Sequence, residues 1–323
     1  MIYDCFTFYN ELDVLEIRLN TLANTVDRFV LVEATRTHSN LPKRLYFEEN
    51  KARFAKYLDK IVHLVVDEYP EYRNSWTFEN HQRNAIAKGL IHCNDDDIVL
   101  ISDADEIPRP EMLLKVLGFP GITCLLQDLY FYFANYLDTK HLVWSGGTKV
   151  LKYKVIRNNL LEERFVVYNS GTFPHYLNRG TTMTKIRLYT DCWYVPMGGW
   201  HFSYLGGVDA IKSKFQAFAH QEYNTSAMLD QDRLQRLIDS GQDIFGRPDH
   251  KFLAVRMDED FPLFLRHNQQ RFPKLLRTEN LAEPLRARKN WQYARVLLKE
   301  YVKKLGGETL RRVLARDKQK VEA

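Results

Sequence analysis

Apolar and polar positions change period in a regular way along the first hundred residues. Ile2 to Phe8 is a short run dominated by apolar and β-prone residues and predicts a strand. Leu12, Leu15, Leu19, Leu22 and Ala23 then recur at helical spacing, which predicts an amphipathic helix. The same exchange repeats. Phe29–Val32 predicts a second strand ending at Glu33, a helical stretch follows over 48–58, and Ile61–Val66 predicts a third strand. A long helix over 76–91 then leads into Ile98–Ile101, a fully apolar, β-branched run that predicts a buried fourth strand. Strands that alternate with helices predict an α/β fold with a mainly parallel sheet joined by right-handed crossovers.

Beyond residue 120 the pattern is less regular. Residues 122–136 are long, apolar and aromatic and predict a central strand pair. Trp144-Ser145-Gly146-Gly147-Thr148-Lys149 predicts a tight turn before another strand, and Gly198-Gly199-Trp200-His201-Phe202-Ser203 a second glycine turn. Helical periodicity returns over 208–220 and 226–238, and 290–316 reads as one or two basic helices interrupted at Gly306-Gly307. The expected organisation is one α/β domain over 1–245 with a helical, basic C-terminal extension over 246–323.

The chemistry concentrates where the fourth strand ends. Ser102-Asp103-Ala104-Asp105-Glu106 delivers three carboxylates, and Pro108 and Pro110 are expected to bar any continuation of the strand. That places the acids at the carboxyl edge of a parallel strand, where open α/β sheets bind their ligands. Carboxylates this close repel unless a cation sits among them, and Mg²⁺ or Mn²⁺ shared with substrate phosphates is the natural one. An Asp-x-Asp on a solvated turn is the plain alternative; the apolar strand before it and the prolines after it favour the metal. Neither Gly-x-Gly-x-x-Gly nor Gly-x-x-x-x-Gly-Lys-Ser/Thr occurs, so a nucleotide held here is not held by those cradles.

Charge refines the picture. Residues 286–323 carry twelve Lys/Arg against four Asp/Glu, whereas the rest of the chain holds 34 against 37. A slightly acidic body argues against nucleic acid as a partner. The basic tail reads as a solvated helix, with peripheral contact to an anionic membrane surface as the sharper alternative. Four scattered cysteines form no Cys-x-x-Cys pair, no apolar run approaches 18 residues and no basic leader precedes the first strand. The expectation is a cytoplasmic chain, peripheral at most to the inner membrane surface.

Several separated motifs resemble those of glycosyltransferase family 17. They are residues 3–13 with 15–19, residues 26–33, Pro42-Lys43-Arg44-Leu45-Tyr46-Phe47, Ser102-Asp103-Ala104-Asp105-Glu106-Ile107-Pro108 and Gly199-Trp200-His201, in order over about 3–245. The resemblance implies a GT-A-like (Rossmann-like) fold, a UDP-sugar donor such as UDP-GlcNAc, a divalent metal (Mn²⁺ or Mg²⁺) and inverting transfer of GlcNAc to a glycan or glycoconjugate acceptor; a basic tail on a membrane surface would instead point to a lipid-linked saccharide acceptor. The expectation is a family member without the membrane anchor and stem of the animal enzymes.

On that footing Asp105 is the first choice as direct metal ligand, with Asp103 on the metal's waters or the ribose. Glu106 is a weaker candidate, equally a helix N-terminal charge. His201 either completes the metal shell or is a structural histidine. Arg83 suits a nucleotide diphosphate but also reads as a surface arginine. Glu33 is a candidate for the uracil or ribose edge, or a buried partner of Arg18 or Arg36. Trp200 and Trp144 offer faces for sugar stacking or core packing. An inverting transfer needs a base, for which Asp191, Glu222 and Asp128 are candidates, Asp191 preferred because it precedes the Gly-Gly-Trp-His segment. Asn10, Glu11 and Asp13 read as a helix N-terminus capped by Asn10. The competing functions are a sugar nucleotidyltransferase, which a glycine-rich N-terminal loop would favour, and a non-catalytic glycan-binding relative, which would need a broken acidic cluster.

Overall fold

A computed structural model describes residues 1–119, 121–160, 192–284, 290 and 292–298. Four strands run parallel: β1 (Ile2–Phe8), β2 (Arg28–Ala34), β3 (Ile61–Val66) and β4 (Ile98–Asp103), side by side in the order β3-β2-β1-β4. They continue as β5 (Glu106–Pro108), β6 (Ile122–Phe131), β7 (Tyr136–Asp138), β8 (Val143–Trp144), β9 (Lys149–Lys152), β10 (Cys192–Ser203) and β11 (Phe252–Ala254). β9 enters antiparallel between β4 and β6, which restores the parallel sense at β6, and β10 lies parallel to β6. The long strands β1, β2, β4, β6 and β10 therefore all end on one edge of a mixed, mainly parallel sheet.

Burial on both sides of the sheet follows from the alternation of side chains. Tyr3 and Cys5, Val30 and Val32, Val99 and Ile101 pack on one face with Ile86 and Leu90. Ile98, Leu100, Leu125 and Val150 pack on the other with Leu113 and Val116 of helix Pro110–Val116. A separate aromatic cluster joins Phe131, Tyr136, Tyr204, Phe215 and Phe252 beside helices Gly207–Ala217 and Gln231–Ser240.

Four local expectations are corrected. The segment over 76–91 is not one helix: it runs Ser75–Asn84 and then Ile86–Gly89, because the Ala85 N–H is shared among the carbonyls of His81, Gln82 and Arg83 and the spiral tightens. It stops at Gly89, where an added Cβ would lie 2.4 Å from Val30 Cγ1. The stretch over 48–58 is a turn of helix, Tyr46–Glu49, followed by the 3₁₀ segment Lys51–Tyr57. Pro108 does not bar a strand, since β5 resumes after a two-residue turn and pairs antiparallel with Gly199–His201, and Pro110 opens the next helix. Gly198 and Gly199 lie inside β10 rather than in a turn. An added Cβ on Gly199 would sit 2.2 Å from the Ile107 carbonyl oxygen, and one on Gly198 2.6 Å from Leu125 Cβ, so these glycines let β10 wedge between β5 and β6.

Chain contacts divide the protein at Pro284/Leu285. Residues 246–284 are part of the first unit, because β11 pairs with β7. In the second unit, residues 292–298 are helical. Among the described residues no helix is long and apolar enough to cross a membrane.

Candidate functional site

The ends of β1, β4, β6 and β10 border a cleft of about 500 Å³. Arg83, Asp103, Asp105 and His201, all singled out from sequence, line it together, as does Trp144. The acidic loop is shaped from beneath by Arg18, a fully buried residue of helix Leu12–Leu22. Its guanidinium forks onto Asp4 at 2.8 and 2.6 Å, contacts Ser102 Oγ, and donates from Nη1 to the carbonyls of Asp103, Ala104 and Glu106 at 2.9, 3.2 and 2.8 Å. Glu106 turns inward: Oε1 accepts from Trp144 Nε1 at 2.6 Å and Oε2 from the Asp103 amide at 3.2 Å. It is thus a strut of the loop rather than a charge at the following helix.

The two aspartates meet different cations. Asp103 Oδ1 lies 2.7 Å from Arg83 Nη2, and Arg83 Nε donates to Glu79 at 3.0 Å. Burial alone would depress the Arg83 guanidinium, but Asp103 and Glu79 outweigh it and hold it protonated. Arg83 Nη1 is buried without a hydrogen-bond partner among the described residues. Asp105 is buried, its Oδ2 3.0 Å from Lys214 Nζ and its Oδ1 3.6 Å from His201 Nε2. Burial opposes the Lys214 charge, yet Asp105 and then Glu11 raise its pKa above the ordinary lysine range. Burial lowers His201 despite Asp105, so the imidazole is neutral at neutral pH.

Asp105 Oδ1 and the His201 imidazole offer one anionic oxygen and one neutral nitrogen side by side, and His201 Nδ1 is a buried atom without a partner among the described residues. Such a pair fits part of the shell of a divalent cation. Asp103 turns instead toward Arg83, and among the described residues no group of three His, Cys, Asp or Glu is arranged around a common point.

The other wall is aromatic. Trp76 stands edge-on to His220 at 4.7 Å, Tyr223 edge-on to Phe245 at 4.6 Å, and Phe218 adjoins them. Lys43 enters at the β2 side, 3.6 Å from Glu33, with Tyr9 and Tyr46 around its ammonium. Five Lys/Arg and four Asp/Glu line the cleft, a near balance of charge.

The remaining sequence candidates lie elsewhere. Glu33 is fully buried; it accepts from the Phe47 amide at 3.0 Å and pairs with Lys43 and His63, not with Arg18 or Arg36. Trp200 is buried with its Nε1 on the Asp260 carbonyl and its ring under Arg109. Glu222 is exposed and paired with His220, while Asp128 is fully buried against Arg109. Asp191 lies outside the described residues. Glu11, not Asn10, occupies the N-cap position, and its side chain makes no capping bond. Sequence reasoning missed Arg18 and Lys214 because each sits in an ordinary helical pattern, and the loop groups they hold, the Asp103 carbonyl and the Asp105 carboxylate, are 85 and 109 residues away.

A search among known proteins gives the following likenesses. The chain is 25% identical over 209 residues to β-1,4-mannosyl-glycoprotein 4-β-N-acetylglucosaminyltransferase of Homo sapiens, covering 60% of this chain and 39% of that protein. The Rattus norvegicus enzyme gives 25% over 209 residues, 60% and 38%. The chain thus spans under two-fifths of the length of the curated relatives it matches. Among solved structures, S. aureus TarS 1-349 superposes with a TM-score of 0.36 at 11% identity, over 74% of this chain and 72% of that one. A Pyrobaculum calidifontis mannosyltransferase in complex with GDP-Man and Mn²⁺ gives 0.31 at 15%, over 49% and 46%. The family model for glycosyltransferase family 17 matches residues 1–255, and the chain belongs to that family.

Proposed function

We propose that the protein is a metal-dependent, inverting glycosyltransferase of GT-A-like organisation that transfers GlcNAc from UDP-GlcNAc to a glycan or glycoconjugate acceptor. The observation that carries this reading is the convergence of Asp103, Asp105, His201 and the spare donor of Arg83 in one cleft at the carboxyl edge of the sheet. Asp105 and His201 would hold Mn²⁺ or Mg²⁺, and Asp103 would share in it through water or bind the ribose. When bound, a divalent cation neutralises charge that develops on the leaving diphosphate. Arg83 donates to the diphosphate from its unpartnered Nη1, and Lys214 supplies a second fixed positive charge. Trp76 and Tyr223 offer faces for the uracil, and Trp144 for the transferred sugar.

The deciding assay incubates the protein with a panel of UDP-sugars and Mn²⁺ and measures UDP release. UDP-GlcNAc should be consumed, and Asp105→Ala should abolish release. Undiminished release by Asp105→Ala would reject the site, and stabilisation by UDP that is indifferent to Mn²⁺ would reject the metal.

A further inference from the structure

A second cleft of about 290 Å³ adjoins the first. Asp105, Lys214, Tyr204 and Glu11 line both, so these four side chains form the partition between them. If the diphosphate of the donor rests at Asp105, the bond that breaks lies next to this partition. The second cleft then opens on the reacting carbon from another direction. We infer that the second cleft receives the acceptor saccharide and that Glu11 is the general base that deprotonates its attacking hydroxyl. The inference rests on the donor reading given above.

Glu11 stands out among the acids by what it lacks. In the two clefts Asp103 and Glu79 pair with Arg83, Asp105 with Lys214, and Asp13 with Arg53. Glu11 alone among these carboxylates has no ion pair within 4.0 Å with a described residue, although it lies near enough to Lys214 to favour that charge, and it accepts one hydrogen bond, from the Asn10 amide to Oε2 at 3.0 Å. Oε1 is left to accept a proton. The half-buried side chain makes no capping hydrogen bond to helix Leu12–Leu22, so Oε1 is not taken up by the helix amides. The cleft around it mixes polar groups (Asn10, Arg53) with apolar faces (Phe202, Leu275), the composition that binds a pyranose ring. Tyr204 closes the partition at φ 54°, a left-handed conformation that a bulky residue rarely adopts and that clusters at functional sites.

The step balances as follows. The acceptor hydroxyl gives its proton to Glu11 Oε1 as its oxygen bonds to the anomeric carbon. The bond from that carbon to the diphosphate oxygen breaks, its electron pair leaves with UDP, and the configuration inverts.

The test compares wild type, Glu11→Gln and Ala210→Phe with UDP-GlcNAc, Mn²⁺ and p-nitrophenyl β-mannoside as the probe acceptor. Glu11→Gln should lose about 10²–10⁴-fold in kcat, the usual worth of a general base. Its KM for UDP-GlcNAc and its thermal stabilisation by UDP should stay at wild-type values. Ala210→Phe, which fills the second cleft from helix Gly207–Ala217, should raise the acceptor KM at least tenfold and leave the donor KM unchanged. A Glu11→Gln loss in kcat below threefold, or a loss carried by the KM for UDP-GlcNAc instead of kcat, overturns the base. An unchanged acceptor KM in Ala210→Phe overturns the second cleft. Wild type that releases no UDP from any UDP-sugar overturns the donor reading and this inference with it.

Discussion

Arg18 Nη1 lies 2.9 Å from the carbonyl oxygen of Asp103, and the same nitrogen reaches the carbonyls of Ala104 and Glu106. One buried guanidinium thus fixes the backbone of the acidic loop from a helix more than eighty residues earlier in the chain. Its charge is balanced by Asp4, which is itself fully buried on β1. Removing one partner of such a pair leaves an uncompensated buried charge, at a cost of about 3–5 kcal/mol. Arg18→Leu should therefore lower the unfolding free energy by that amount, read from urea denaturation. Asp4→Leu/Arg18→Leu should recover much of the stability but not UDP binding, since the loop carbonyls keep no donor. A single-variant loss under about 1 kcal/mol would show that the pair does not hold the loop.

Gly199 faces the same loop from the opposite side. An added Cβ would meet the Ile107 carbonyl oxygen at 2.2 Å and Pro108 Cα at 2.8 Å, both backbone atoms that cannot rotate away. Gly199→Ala should push β5 off β10 and cost about 1–3 kcal/mol, the usual range for overpacking. Because β5 follows Asp105 directly, UDP release should fall more than stability alone explains. A wild-type melting temperature in this variant would mean that the strands separate without strain.

His38 gives the cleft a pH dependence with a definite sign. Burial lowers its pKa below 6.5, only partly offset by Glu79, whose Oε2 is 3.9 Å from Nδ1; Gln82 Oε1 lies 2.9 Å from Nε2. A depressed imidazole means that the unfolded chain binds more protons just below pH 6.5, so stability falls as pH drops through that value toward the folded pKa. His141 and His201 are shifted in the same direction and add to the slope. His38→Gln should flatten the decline between about pH 6.5 and 5 without abolishing it. Denaturation midpoints across that interval measure it, and an unaltered slope would place the proton elsewhere.

Much of the frame was legible because its causes are local. Ile98–Ile101 reads as a buried strand from its own composition, and Asp103 and Asp105 follow from where it stops. The glycine pair also marks 198–199 as special, but the constraint is close approach to β5 and β6, not a turn. Trp200 and Glu33 each carry two readings in the sequence for a related reason. An aromatic or an acid next to a motif looks functional in one dimension, yet alternation along β10 sends Trp200 to the core and His201 to the cleft. Lys214 and Arg18 carried no local signal, since a single cation in an amphipathic helix is ordinary and only the folded chain brings Lys214 to Asp105 and Arg18 to the carbonyls of the acidic loop.

Trp144 connects the loop to the histidine. Its Nε1 donates to Glu106 Oε1 at 2.6 Å, and its ring lies 4.7 Å from that of His201. Trp144→Phe keeps an aromatic ring beside His201 and deletes the donor. A hydrogen bond to a charged group is worth about 1.5–3 kcal/mol, so the unfolding free energy should drop within that range. Glu106→Gln removes the charge but keeps an acceptor, and the two changes should not add. Their double-variant cycle should give a coupling of about 0.5–3 kcal/mol, as expected for side chains in direct contact. If Trp144 supports the loop rather than the sugar, Trp144→Phe should weaken UDP stabilisation and His201→Ala should not cancel that effect. Strict additivity of Trp144→Phe and Glu106→Gln would show that the indole and the carboxylate act independently.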